Sequence, residues 1–215
     1  MCGRYSAAGT LDELAKLINF ICRVPFFAPR YNIAPRQQAP VIVLENKQPI
    51  MKLMRWGLIP GWAKDESIGD KLINARAETI SEKTSFKKPF DFQRCLVVAD
   101  GFYEWQLSGR GRTPFRFTMK DKSFFCMAGL WERWIKPPAR GEFEFNELDE
   151  TPPRRMIDTF SIITTEANPM VAAVHERMPV ILYQDAWQYW IDDRHDGKRI
   201  KMPANACVYA SNPDF

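Results

Sequence analysis

The sequence predicts an α+β fold built on a mainly antiparallel, twisted sheet. Three observations lead there. Strand-like apolar runs recur along the chain, joined by turns too short for parallel crossovers. Helical spacing is confined to a few short stretches. No internal repeat or linker divides the 215 residues, so a single domain over 1–215 is expected.

Thr10-Leu11-Asp12-Glu13 reads as a capping box. Leu11, Leu14, Leu17, Ile18 and Ile21 follow at helical spacing and predict a helix over 11–22. Pro25, Pro29, Pro35 and Pro40 then punctuate an irregular segment containing Arg30-Tyr31-Asn32-Ile33-Ala34-Pro35. Val41–Leu44 and Ile50–Trp56 are predicted strands around an Asn46-Lys47-Gln48 turn. Gly57–Lys71, rich in Gly, Pro and Trp, is a loop leading into Ile73-Asn74-Ala75-Arg76-Ala77-Glu78-Thr79. A short helix is expected from near Ser81 to before Pro89, then strands over Cys95–Gln106, Phe115–Lys120 and Ser123–Trp131. Residues 136–155, rich in Pro, Glu and Arg, show no clean period and read as a surface insertion. Thr159–Thr165 is a further strand. Asn168-Pro169 is an N-cap with proline at N1, so a short helix delivers His175 at its end. Strands over Met178–Tyr183 and Ala206–Ala210 frame a helix over 184–192.

Composition narrows the classes. No apolar run approaches the ~20 residues of a membrane span, and the start lacks a signal peptide's apolar stretch. The five cysteines (2, 22, 95, 126, 207) form no CxxC pair, which argues against a disulfide framework or a zinc site and fits a reducing cytoplasm. Cys95, Cys126 and Cys207 lie in apolar runs and read as core residues. The net charge of +4 permits a nucleic-acid partner without demanding one.

The chemistry-bearing residues begin with Met1-Cys2-Gly3-Arg4-Tyr5. A small second residue allows Met1 to be removed, leaving a cysteine with a free thiol and a free α-amine. The two groups titrate near ~8.5 and ~8, so both are partly reactive at neutral pH. Such an aminothiol serves as an N-terminal nucleophile with its own base, or captures an aldehyde as a thiazolidine. The same two residues also suit a start methionine before a buried cysteine. Glu104, in Gly101-Phe102-Tyr103-Glu104-Trp105, either faces water from a strand or sits in a pocket with a raised pKa. Of the two histidines, His195 lies in a charged turn, which leaves His175 as the better proton-transfer candidate beside a plain core role. Arg4, Arg76 and Arg177 lie close in sequence to these polar groups, and their guanidinium groups suit phosphate. Trp62, with Phe86 as the weaker candidate, suits stacking on unpaired bases.

Together these blocks, with Trp56-Gly57-Leu58-Ile59-Pro60-Gly61-Trp62 and His175-Glu176-Arg177-Met178-Pro179, resemble the SOS-response-associated peptidase (SRAP) family over essentially the whole chain. That resemblance implies a barrel-like sheet core with flanking helices and a protein that shields abasic sites in single-stranded DNA. It implies that Cys2, freed of Met1, forms a thiazolidine crosslink with the ring-opened abasic sugar. Glu104 would assist ring opening, proton transfers at C1 and reversal. His175 would donate or relay a proton to the sugar oxygen, and Asn74 would hydrogen-bond Cys2 or the opened sugar. Arg4, Arg76 and Arg177 would bind flanking phosphates, with Trp62 and Phe86 against the bases. The implied protein is a cytoplasmic, DNA-associated monomer (nuclear if eukaryotic) that needs no metal or cofactor, with lyase-type crosslinking and thiol autopeptidase activity. The 136–155 insertion departs from the family's pattern and is expected to be peripheral.

The enzyme rival is an N-terminal-nucleophile amidotransferase or hydrolase with the Cys2 thiol as nucleophile. Glutamine amidotransferases of that type use an Asn-Gly pair in the oxyanion hole, and the sequence contains no Asn-Gly dipeptide. A non-catalytic single-strand binding module would leave the aminothiol and Glu104 unexplained.

Overall fold

The computed structural model describes residues 2–25, 28–109, 111–137, 155–192 and 208–211. Five strands form a closed barrel: β4 (Gln38–Glu45), β5 (Gln48–Trp56), β7 (Arg94–Ala99), β10 (Phe125–Ile135) and β11 (Met156–Glu166). Antiparallel pairing runs β5-β4-β7-β10-β11, and a parallel β11–β5 contact, Thr159 opposite Arg55 and Phe160 opposite Trp56, closes the ring. Closure leaves these strands without a bare edge along that seam. β6 (Asn74–Arg76) adds in parallel to β11, and β12 (Arg177–Pro179) adds antiparallel on the same strand. β13 (Ile181–Leu182) pairs with β10. A second sheet, in the order β14-β9-β8-β1-β3, comprises β1 (Arg4–Ala7), β3 (Arg30–Ile33), β8 (Gly101–Ser108), β9 (Gly111–Met119) and β14 (Val208–Ser211).

The antiparallel expectation holds, with three parallel pairings among the described residues, the third joining β2 (Ile21–Cys22) to β5. Both faces of the barrel sheet are packed, Ile42, Met51 and Leu96 on one and Trp56, Met127 and Phe160 on the other, all buried. The β4–β5 turn has positive φ at Asn46 (50°) and Lys47 (64°), the two-residue geometry whose twist suits a hairpin.

Several expectations change in the fold. The helix predicted over 11–22 ends early: α1 covers Leu11–Ala15, capped by Thr10 and Glu13 as predicted. Ile21 and Cys22 leave the helical pattern because they pair with Ile50 and Met51. Sheet hydrogen bonds outweigh the propensity of a short, mostly exposed helix. The strand predicted over Cys95–Gln106 breaks at Asp100, whose N–H donates to Ser6 O (2.9 Å) and whose carboxylate accepts from Ala8 N (3.3 Å) and pairs with Arg116 (3.2 Å). One run thus serves β7 in the barrel and β8 in the second sheet. The helix expected to stop before Pro89 instead runs through it as α2 (Thr84–Phe92). Phe86, Pro89 and Phe90 recur at helical spacing and are buried together, which outweighs the missing N–H of proline. The 57–71 loop contains a 3₁₀ turn over Glu66–Lys71, capped by Asp65, and the 184–192 helix divides into a 3₁₀ turn, Gln184–Ala186, and α4, Trp187–Ile191.

The strands around 136–155 pair to Ile135 opposite Met156, and Lys136 N–H donates to Arg155 O (3.0 Å). Both ends of the predicted insertion therefore leave one hairpin, while residues 138–154, His195 and Cys207 lie outside the described residues. Among the described residues no helix is long and apolar enough to cross a membrane.

Candidate active site

Cys2 lies just before β1, wholly buried in the core. Its position is held from the barrel side. Asn74 opens β6, opposite Ile162, and its Nδ2 donates to Cys2 O at 2.9 Å. The residue before it is fixed by Trp56, whose Nε1–H donates to Ile73 O at 2.9 Å. Asn74 Oδ1 is buried without a partner among the described residues.

Glu104 comes from the second sheet. β1 pairs with β8 so that Arg4 faces Tyr103, which brings the next position, Glu104, level with Gly3. It is buried, and burial pushes its carboxyl up to about 7, against the pull of the positive amino terminus of the chain. At neutral pH such a group is divided between acid and carboxylate, the state from which a proton is most readily given and taken. Burial also raises the Cys2 thiol, and the Glu104 charge raises it further, so the sulfur stays protonated in this setting.

His175 arrives by a separate route. Asn168 Oδ1 accepts from Val171 N (3.0 Å) to start α3 (Pro169–Ala172), and His175 N–H returns to Val171 O (2.8 Å). Gln106 Nε2 donates to Ala173 O (2.8 Å), tying this turn to the strand that carries Glu104. The imidazole Nδ1 accepts from Arg177 N–H at 3.0 Å, so the neutral ring holds its proton on Nε2. Burial, followed by the charge of the chain's amino terminus, lowers its pKa and favours that neutral form. The Glu104 charge also acts directly on Cys2. Among the described residues no three His, Cys, Asp or Glu side chains converge as a metal site requires.

The expected DNA contacts fare unequally. Arg4 is half-buried beside Cys2, its Nη1 donating to Gly3 O (3.3 Å). Arg76 is exposed at the end of β6, and Trp62 is exposed on its loop. Arg177 stands beside His175, but its guanidinium already grips Glu78 bidentately (2.7 and 2.9 Å) and donates to Thr164 O (2.8 Å). Phe86, expected as the weaker stacking candidate, is buried on α2 within the core instead of exposed, because its position falls on the apolar face with Pro89 and Phe90. Glu78 and Gln106 were missed by sequence reasoning. An acid two places from Arg76 was the available signal for Glu78, and nothing local marked Gln106.

The SOS response associated peptidase (SRAP) family profile matches residues 1–209. The chain belongs to this family. It is 38% identical over 198 residues to the abasic site processing protein YoqW of Bacillus subtilis (strain 168), covering 91% of this chain and 82% of that one. It is 32% identical over 197 residues to the abasic site processing protein HMCES of Gallus gallus, covering 77% of this chain and 54% of that longer one. Among solved structures, a protein from Bacteroides thetaiotaomicron superimposes with a TM-score of 0.75 at 27% identity, over 89% of this chain and 82% of that one. A protein from Bordetella bronchiseptica, at 23% identity and a TM-score of 0.79, shares the fold over the full length of both chains. The SRAP fold here is thus the closed mixed barrel with its added second sheet.

Proposed function

We propose that this SRAP protein processes abasic sites in DNA by capturing the ring-opened sugar covalently at Cys2. The observation that carries the reading is the meeting of a second-residue cysteine with a buried acid and an amide that holds its carbonyl, Cys2 beside Glu104 and Asn74. The names of the relatives YoqW and HMCES support abasic sites as the target.

Removal of Met1 comes first, because an amide nitrogen cannot form an imine. Release at this same site would pass through an N-to-S acyl shift onto Cys2 and hydrolysis of the thioester. The freed α-amine then adds to the C1 aldehyde of the opened sugar. Glu104, as the acid, protonates the departing hydroxyl, and one water leaves as the imine forms. The thiol adds across the C=N bond: the S–C bond forms, and the thiol proton ends on nitrogen. His175 Nε2–H donates to the sugar oxygen, and Asn74 orients the cysteine through its carbonyl. Arg4, Arg76 and Arg177 hold flanking phosphates. Exposed Trp62 packs against bases, which favours a single strand.

The test is a denaturing gel of the protein lacking Met1 mixed with an oligonucleotide carrying one abasic site. A slow-migrating adduct is expected for the wild type and none for Cys2→Ala. Cys2→Ser should give an adduct only after borohydride reduction, because a hydroxyl closes no stable ring. Absence of the wild-type adduct overturns the reading, and ammonia release from glutamine would favour the amidotransferase instead. Intact mass of Cys2→Ala shows whether Met1 release depends on the thiol.

A further inference from the structure

A cleft of about 650 Å3 opens on the barrel surface over the seam where β5 and β11 meet. Four arginines line it: Arg36, Arg55, Arg133 and Arg155. Each is paired with a carboxylate, while Arg55 also donates from Nη1 to Glu66 O (3.4 Å). Arg36 grips Asp70 through Nε (2.7 Å) and Nη2. Arg133 grips Asp158 through Nε (2.6 Å) and Nη2 (2.8 Å). In both, the carboxylate uses the Nε edge, so among the described residues the Nη1 donors have no partner, in a fork whose orientation is already set. Arg55 Nη2 reaches Asp70 at 3.2 Å, and Arg155 Nη2 reaches Glu66 at 3.4 Å.

Stability explains this poorly. The side chains of Arg36, Arg155 and Arg133 are 68, 63 and 46% exposed, and ion pairs that open to water contribute little to folding. Arg36 is also held at φ +73°, a left-handed conformation that glycine adopts at lower cost. A cation is kept there against local strain. Two stretches of chain connect the cleft to the candidate active site. Asp70, which holds both Arg36 and Arg55, is four residues before Asn74, at most about 14 Å along the chain. Arg36 follows Ile33, which pairs with Tyr5 of the strand that begins at Cys2. The loop bearing Trp62 lies in sequence between the seam residue Arg55 and Asp70.

We propose that this cleft is a second contact surface for the phosphate backbone of the DNA strand, gripping nucleotides beyond those held by Arg4, Arg76 and Arg177. It rests on the reading of Cys2 as a DNA-capturing residue for its partner, and on the arginine geometry for its place. Planar, bidentate donors fixed by carboxylates suit phosphate oxygens better than a diffuse lysine patch does. Such contacts carry no base readout, so the surface would add affinity and salt dependence rather than sequence preference.

The test separates this surface from Cys2. Fluorescence anisotropy with a labelled 20-nucleotide single strand containing no abasic site reports backbone binding alone, while the adduct gel reports Cys2. The double variant Arg36→Gln/Arg155→Gln, both on exposed side chains, should bind about five- to tenfold more weakly at low salt. Its log–log salt slope should be shallower by about 1.4, the share of two phosphates on a single strand. Arg36→Lys/Arg155→Lys should keep the slope and lose part of the affinity. With a five-nucleotide strand, too short to span both surfaces, wild type and variants should agree. Equal affinity and slope for wild type and the glutamine variant on the 20-mer overturns the proposal, as does an absence of measurable binding by the wild type. An acidic peptide bound by the wild type and lost in the variant, with DNA binding unchanged, also overturns it and assigns the cleft to a protein partner. An adduct that forms normally while the cleft test fails leaves the Cys2 reading standing alone.

Discussion

Glu104 shows how position on a strand creates chemistry. A carboxyl ordinarily titrates near 4.5, and burial lifts this one to about 7. Between those values the folded protein binds a proton that the unfolded chain has released, so this residue's contribution to stability is complete below about 4.5 and is lost as pH rises through 7. Glu104→Gln, which does not titrate, should gain on the wild type over that window, its relative Tm rising by on the order of 5 °C from pH 4.5 to 8 in thermal melts. The same substitution should slow adduct formation about 100-fold. In the wild type the rate should peak between the Glu104 value and the ~8 of a free α-amine, because one group must be protonated and the other not. A stopped time course on denaturing gels across pH 5–9 reads it, and a wild-type profile matching that of Glu104→Gln would count against Glu104 as the acid. Asn74 was legible only through its motif. Its role rests on reaching Cys2 across 72 positions of sequence, a contact no local pattern encodes.

At the scale of elements, the best-read pieces were those specified by their own residues. The Thr10–Glu13 capping box and the Asn168-Pro169 start of α3 both form as expected, since each is closed by side chains within three positions. The β4–β5 hairpin was legible for the same reason, although its second turn residue is a poor fit. Lys47 sits at φ +64° without being glycine. Lys47→Gly should therefore stabilise the protein by about 0.5–1 kcal/mol, seen as a higher midpoint in urea with an unchanged slope. The misread pieces are those settled by distant partners. Asp100 divides one apolar run because Ser6, Ala8 and Arg116 claim its groups, and α1 stops short because β5 claims Ile21 and Cys22.

For the whole molecule, the barrel and the second sheet bring together groups from four separate stretches of chain. Arg76, on the strand that Asn74 opens, and Trp62, on its loop, both stay exposed. Arg76→Gln should weaken single-strand binding about tenfold and make the salt slope shallower by about 0.7 in anisotropy titrations, with Tm essentially unchanged. Arg177 should behave differently. Its bidentate bond to Glu78 makes it part of the fold around His175, so its replacement should lower Tm as well as affinity. A Tm for Arg177→Gln equal to that of the wild type would show that the Glu78 pair serves binding alone.

The sequence by itself determined the fold class, the family and the list of reactive residue types, because motifs, caps and alternation are local patterns. Tertiary structure decided which of those residues lie together. Register across β1–β8 and β6–β11 placed Glu104 and Asn74 at Cys2, and packing on α2 withdrew Phe86 from the surface. It also revealed the pairing of Arg177 with Glu78 and the arginine cleft over the barrel seam. The physical reason is common to all of these. A pKa, a bidentate fork and a buried face depend on neighbours that the chain supplies from far away, and only barrel closure brings them within reach.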